Sequence, residues 1–553
     1  MAGGTRFEAK QYINAVKRLR TAMKHLVAQD PTSKTLVRSQ SLMQLAMKTL
    51  VRELCQILSS NREHLDPEVV SNRSSIERRS SFSDFDDEMY VEDEFGVAEN
   101  SISETERMSM IAMADLKAIA DCMIPSGYGK ECVKVYITMR KSIVEEALYR
   151  LGVEWLNFSQ VNKMDWEVIE LKVKTWLNAV KVAINTLFHG ERILCDYVFG
   201  ATSENIIVES CFAEITREGA TLLFGFPEMV AKCKKTPEKI FKILDLYEAI
   251  SDNWSQIQSI FSFESTSSAR SLAVNSMVKL GDAIRAMLSE FESAIQKESS
   301  KVMVPAGGIH PLTRYVLNYI TFLSDYSVVL GNIIIDYPQS PLPENYYRSP
   351  MRNENPLVSD ISEQIAWLIL VVLCKIDAKA ELYNDVALSY LFLVNNMQYI
   401  VEKVRNSNLG FLLGEDWLTK HKLKVKEYVS KYERMGWSKV LSSLPENPTV
   451  EMPMKQVRAC YMSFNASFQE TCRKQSRWIV SDPKLREEIK ISIGTNLTRK
   501  YKEFYERHRS KLALVNGFKP EYIGNCLSDI LHGTGDLSHS YSTKSLFHRS
   551  NRG

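Results

Sequence analysis

The sequence predicts an all-α protein: an elongated rod of consecutive antiparallel helical bundles with a separate N-terminal helical hairpin. Three observations carry that reading. Residues 360–405 keep apolar residues at helical spacing, from Ile361, Ile365, Leu368, Ile369 and Val372 to Leu391, Val394, Val401 and Val404, with no proline between them. Helical patterns of globular length follow one another along the chain, joined mostly by short polar or glycine-bearing loops. No period-two pattern lasts long enough to argue for a sheet. The 360–405 stretch reads as one long helix, the spine of the body. Its apolar centre, 365–374, is too short to span a membrane, and Asp377, Lys379 and Glu381 follow at once.

Composition bounds the function. Hydrophobic residues make up 45% of the 553 positions and charged residues 25%, as in an ordinary globular protein. Ten cysteines are scattered without a Cys-x-x-Cys pair, so free thiols in a reducing compartment are expected. The first residues, MAGGTRFEAKQYI, hold no apolar signal core, and Ala2 stands where acylation needs glycine. No transmembrane span is expected.

Taken in order, 1–63 reads as a helical hairpin turning at Asp30-Pro31. Leu42, Leu45, Leu50, Leu54 and Leu58 contribute to an apolar stripe on its second helix, expected to serve assembly more than the fold. Residues 64–105 are rich in serine and acid and read as a disordered linker. Within it Ser80, Ser81 and Ser83 lie between Arg78-Arg79 and a run of acids, a setting for phosphorylation or simply a solvated linker. The helical body is expected over 106–535. A proline-rich loop at 335–359 offers Tyr337, Tyr346 and Tyr347 as partner-docking anchors or as plain surface. The last residues, 536–553, read as a flexible tail.

A search for chemistry finds little. The nine histidines are dispersed, and no His-Glu-x-x-His pattern occurs. Ser126-Gly127-Tyr128-Gly129-Lys130 lacks the four-residue glycine spacing and the hydroxyl residue of a phosphate loop. There is no Gly-x-Ser-x-Gly elbow. The reading is non-enzymatic, with no cofactor and no metal.

Charge is the feature above background. Residues 471–517 carry twelve Lys and Arg against five acids. Lys484, Arg486, Lys490, Arg499, Lys500, Lys502, Arg507, Arg509 and Lys511 are expected to form an anionic-lipid surface on one helix over 483–511, with Lys500, Arg507 and Lys511 sharing a face. Nucleic acid would feel the same field, but no zinc finger, arginine-rich tail or aromatic platform accompanies it.

The string His310-Pro311-Leu312-Thr313-Arg314-Tyr315-Val316-Leu317-Asn318-Tyr319 resembles a signature of the seventy-kilodalton exocyst subunit family. Stretches 126–155, 176–199, 395–404 and 521–533 resemble its plant branch, and the likeness runs over roughly 110–535. The resemblance implies a subunit of a tethering complex that holds secretory vesicles at the plasma membrane, cytoplasmic and peripherally attached. It implies other exocyst subunits and anionic phospholipids such as phosphatidylinositol bisphosphate as partners, with small GTPases or immune and autophagy proteins as further ones. A specialised plant paralogue, acting as an interaction module in immunity or autophagy, is the alternative. Two departures stand out: Arg499-Lys500 replaces the usual Pro-Ala before Tyr501, and Gly524 stands where relatives outside plants carry a base. The N-terminal portion is also shorter than the long coiled region of full-length relatives.

Overall fold

The structure, a computed structural model, describes residues 3–71, 104–200, 206–334, 342–343, 346–347, 356–446, 451–512 and 519–533. Among these residues every regular element is helical, and the only β contact is a single antiparallel bridge between Ile479 and His532. Two compact units emerge, 1–284 and 285–553.

The first unit begins with α1 (Gly3–Gln29) and α2 (Lys34–Ser60). Ser33 starts α2 by accepting the Thr35 amide at 3.2 Å, satisfying one of the free donors of the first turn. Leu36, Met43, Ala46, Met47, Leu50, Leu54 and Leu58 are all buried. They face α1 and the next two helices, α3 (Glu104–Met123) and α4 (Gly129–Arg150). The hairpin therefore does not stand apart as expected. Leu50, Leu54 and Leu58 of the expected stripe belong to this core, because covering apolar side chains on the neighbouring helices removes them from water without any partner, whereas Leu42 and Leu45 stay exposed. The expected linker also starts later. Leu65 and Val70 are buried, and the backbone is helical at 67–71. The remainder up to 103, with Ser80, Ser81 and Ser83, lies outside the described residues.

The unit continues through α5 (Phe158–Lys163), α6 (Trp166–Val182), α7 (His189–Phe199), α8 (Ile206–Ala231), α9 (Ile240–Asp252) and α10 (Trp254–Ile260). A π-helical turn, Ala183–Phe188, joins α6 to α7. Gly190 follows it because a Cβ there would lie 2.4 Å from the carbonyl oxygen of Pro67. Only glycine lets the chain after the hairpin cross so close. Phe188, Phe212 and Phe224 gather around Phe261, with ring centroids 5.4, 5.8 and 6.1 Å from it.

The division between the units falls within α11 (Ser267–Lys297). The second unit contains α12 (Pro311–Ser324), α13 (Ser327–Ile334), α14 (Pro356–Ala380), α15 (Val386–Arg405), α16 (Leu409–Leu441), α17 (Met454–Gln475), α18 (Pro483–Arg507), α19 (Arg509–Leu512) and α20 (Tyr522–Ser528). The expected spine helix is two helices, α14 and α15. The break comes from Asp385, whose Oδ1 accepts the amides of Ala387 at 2.9 Å and Leu388 at 3.1 Å and so starts a new helix. Apolar periodicity persists across the break because both helices bury a face in the same core. Lys375 and Lys379 on α14 reach back to the end of α11, donating to the carbonyls of Gln296 at 2.5 Å and Ser300 at 2.7 Å. A cation at a helix C-terminus meets the free carbonyls there.

Candidate functional site

The basic end of the second unit is built on α18. Asp482 caps it by accepting the Leu485 amide at 2.8 Å, and Pro483 occupies the first turn. Ile489, Ile493, Leu497, Tyr501 and Phe504 turn inward, and Tyr501 stacks on Phe464 of α17 with ring centroids 4.2 Å apart. Lys484, Arg499, Lys500, Lys502 and Arg507 are all exposed along the helix, and Arg509 just beyond is exposed as well. Lys502 leans toward Glu506 at 3.7 Å.

Three of the nine expected bases do other work. Lys490 is only 7% exposed. Its Nζ donates to the carbonyl of Ser528 at 2.8 Å and to Glu487 at 3.1 Å, and lies 2.8 Å from His532 Nε2. Arg486 is half-buried and donates to the Val480 carbonyl at 3.2 Å. Lys511 donates to the Met452 carbonyl at 3.1 Å. The helix also stops at Arg507, with His508 as its C-cap, so Lys500 and Lys511 do not share one continuous face. Periodicity cannot distinguish a base that faces water from one that reaches a carbonyl of a neighbouring segment.

Beside α18 and α20 lies a groove of about 480 Å³, lined in part by Lys490, Ile491, Thr495, Thr498, Gly524 and Ser528. A Cβ at Gly524 would meet nothing within 4 Å, so a longer side chain would have room there.

Under this end three of the family-like stretches meet. Asn395 donates to the carbonyls of Gly307 and Ile479, each at 2.7 Å, and accepts the Ser481 amide at 2.8 Å. Asn396 accepts from the His310 amide at 2.9 Å and the Thr313 hydroxyl at 2.8 Å. Its amide donates to the Phe392 carbonyl at 2.7 Å. His310 in turn caps α12, its Nδ1 accepting the Leu312 amide at 3.1 Å, and burial pushes its pKa down to about 4. The segment after α17 then pairs with the chain's last described residues: Val480 donates to Leu531 at 3.1 Å, and Gly533 to Trp478 at 3.0 Å. Two side-chain amides thus tie stretch 395–404 to the loop before 310–319 and to the segment that holds 521–533.

The two stretches in the first unit meet in the same manner. Arg140 of α4 and Glu191 of α7 form a fully buried ion pair, with Nε donating to Oε2 at 3.0 Å and a second contact from Nη2 to Oε1. Reasoning from sequence misses this pair and the asparagines. The signal that could find the pair is a charge at a buried phase, Arg140 falling between Tyr136 and Val144.

Of the loop tyrosines, Tyr337 lies outside the described residues. Tyr346 packs edge-on against His421 of α16, with centroids 5.9 Å apart, and its hydroxyl is buried. Tyr347 donates to the Leu412 carbonyl at 2.8 Å. Both side chains contact α16 of their own unit.

Among the described residues no cluster of three His, Cys, Asp or Glu could hold a metal ion, and no helix is long and apolar enough to cross a membrane.

The C-terminal family of the Exo70 exocyst complex subunit matches residues 174–529, and the N-terminal family of the exocyst complex component Exo70 matches 1–60. Exocyst complex component EXO70B1 of Arabidopsis thaliana is 35% identical over 419 residues, covering 75% of this chain and 65% of that protein. The chain thus spans just under two thirds of that relative's length. Exocyst complex component EXO70A1 of Arabidopsis is 28% identical over 558 residues, covering 97% of this chain and 84% of that one. The crystal structure of the S. cerevisiae exocyst component Exo70p shares the fold, with a TM-score of 0.57 at 15% identity over 96% of both chains. On these matches and on the colinear stretches from which both units are built, the chain belongs to the Exo70 family of exocyst subunits, in its plant branch.

Proposed function

We propose that this chain is a non-enzymatic subunit of the exocyst tethering complex, acting in the cytoplasm at the plasma membrane to hold secretory vesicles before fusion. The observation that carries the reading is the family match over both the hairpin and the second unit, which leaves the main building blocks of an Exo70 subunit present in order. A tether needs rigid helical packing, surfaces for other subunits and a foothold on the bilayer. The exposed bases of α18 supply that foothold. They are fixed to a helix whose inner face is locked by Tyr501 and Phe504, so they cannot retract from an anionic surface. Lys484, Arg499, Lys500, Lys502, Arg507 and Arg509 are the proposed lipid contacts; Arg486, Lys490 and Lys511 are not.

The test is affinity purification of the tagged full chain from plant cells. Recovery of the other exocyst subunits in stoichiometric amounts is expected. A folded, expressed chain that recovers none of them overturns the tethering role and leaves the interaction-module reading, in immunity or autophagy, in its place.

A further inference from the structure

The outward face of α2 carries a charge pattern that the fold does not use. Between Lys34 and Arg52 there is no acidic residue, and residues 1–60 together hold ten Lys and Arg against three acids. At 100° per residue, Lys34, Arg38, Lys48 and Arg52 fall within about 80° of the helix circumference, opposite the buried side. All four are exposed, and no ion pair engages any of them among the described residues. Leu45, 63% exposed, sits inside the same arc, while Val37 and Leu42, at 62% and 49%, stand at its edges. From Lys34 to Arg52 the bases span nineteen residues of α2, a rise of about 27 Å along rigid helix.

We infer that this face is a second bilayer-contact surface, for anionic phospholipid of any headgroup, separate from the bases of α18. The bases are spread along the helix without a carboxylate to set a register. Such a row matches a delocalised negative surface better than a partner helix, which would need acids at matched positions. The exposed Leu42, Leu45 and Val37 would enter the acyl boundary at a headgroup layer while the flanking bases stay among the phosphates. The contact depends on bulk negative charge and weakens with salt, as exposed charges do.

The test uses the full chain and vesicles of phosphatidylcholine with about one third phosphatidylserine and no phosphoinositide, at ~0.1 M and ~0.5 M salt. Three proteins are compared: the unaltered chain, a variant carrying Lys34→Glu, Arg38→Glu, Lys48→Glu and Arg52→Glu, and a variant with the exposed bases of α18 reversed. The α2 variant is expected to lose at least about fivefold in bound fraction at the lower salt. The α18 variant should retain a salt-sensitive component that disappears when both sets are reversed. Replacing the same four bases with glutamine removes charge without adding acid and serves if the glutamate variant unfolds. The inference is overturned if a folded α2 variant sediments as the unaltered chain does. It is also overturned if the chain ignores these vesicles but binds a synthetic Glu/Leu amphipathic helix through α2, which would make an acidic helix the occupant. Loss of binding only in the α18 variant overturns this surface while leaving the proposed α18 contact intact.

Discussion

Lys490 of α18 donates to the carbonyl of Ser528 at the end of α20, 2.8 Å away, from a position almost closed to solvent. A base that sequence alone places on a lipid-facing surface is a clamp between two helices. The same stretch of chain therefore contains charges of two kinds, and mutation should separate them.

Reversing Lys500, Arg507 and Arg499 to glutamate should leave helicity and Tm nearly unchanged and lower binding to phosphoinositide vesicles by about tenfold or more. Lys490→Glu should instead lower Tm, because it sets a carboxylate beside the Ser528 carbonyl and Glu487. Liposome sedimentation with circular dichroism reads both. Equal effects of Lys490→Glu and the triple reversal on lipid binding, with both proteins folded, would contradict this division.

Glu191→Gln should cost about 3–5 kcal/mol, since it leaves the Arg140 guanidinium buried without its counter-charge. The double variant Arg140→Met with Glu191→Leu should be clearly more stable than Glu191→Gln, because it removes both buried charges together. Chemical denaturation of the three proteins checks this. A double variant no better than the single would show that the pair contributes more than its own desolvation.

Asn395→Ala removes two donated bonds and one accepted bond at once. Leaving buried backbone groups of Gly307, Ile479 and Ser481 unpaired should cost about 3 kcal/mol or more. Hydrogen exchange should quicken at 479–481 and in α20, which hang from that segment, before it quickens in α14.

Two histidines should make the second unit sensitive to acid. Burial lowers the pKa of both His310 and His421 to about 4. In the unfolded chain they take up protons near pH 6.5, so the unfolded state binds more protons throughout the interval between the two values. Stability is complete above about pH 6.5 and is lost as pH falls toward 4, by roughly 2 kcal/mol for each histidine at pH 4.5. His421→Gln should flatten the difference between denaturation midpoints at pH 7 and pH 4.5. His310→Asn should do likewise while keeping the α12 cap, and His310→Ala should lose about 1 kcal/mol more at neutral pH. An unaltered pH slope in both His421→Gln and His310→Asn would place the acid sensitivity elsewhere.

The amino-acid sequence by itself determined that the chain is helical, because apolar spacing near 3.6 records which face of each helix meets a core. It also determined the family, because the stretches that build the two units occur in order and at length. Tertiary structure decided what periodicity cannot carry. An unbroken apolar pattern over 360–405 hid a break at Asp385, since two helices in one core keep the same kind of stripe. The apolar residues of α2 were legible, but which of them meet its own unit and which, like Leu42 and Leu45, stay exposed depended on α3 and α4, which lie beyond a long intervening segment. Nine bases in one stretch of sequence carry the same formal charge. Only the carbonyls of Ser528, Val480 and Met452, brought close by other parts of the chain, separate the three that hold the fold from the six that face water.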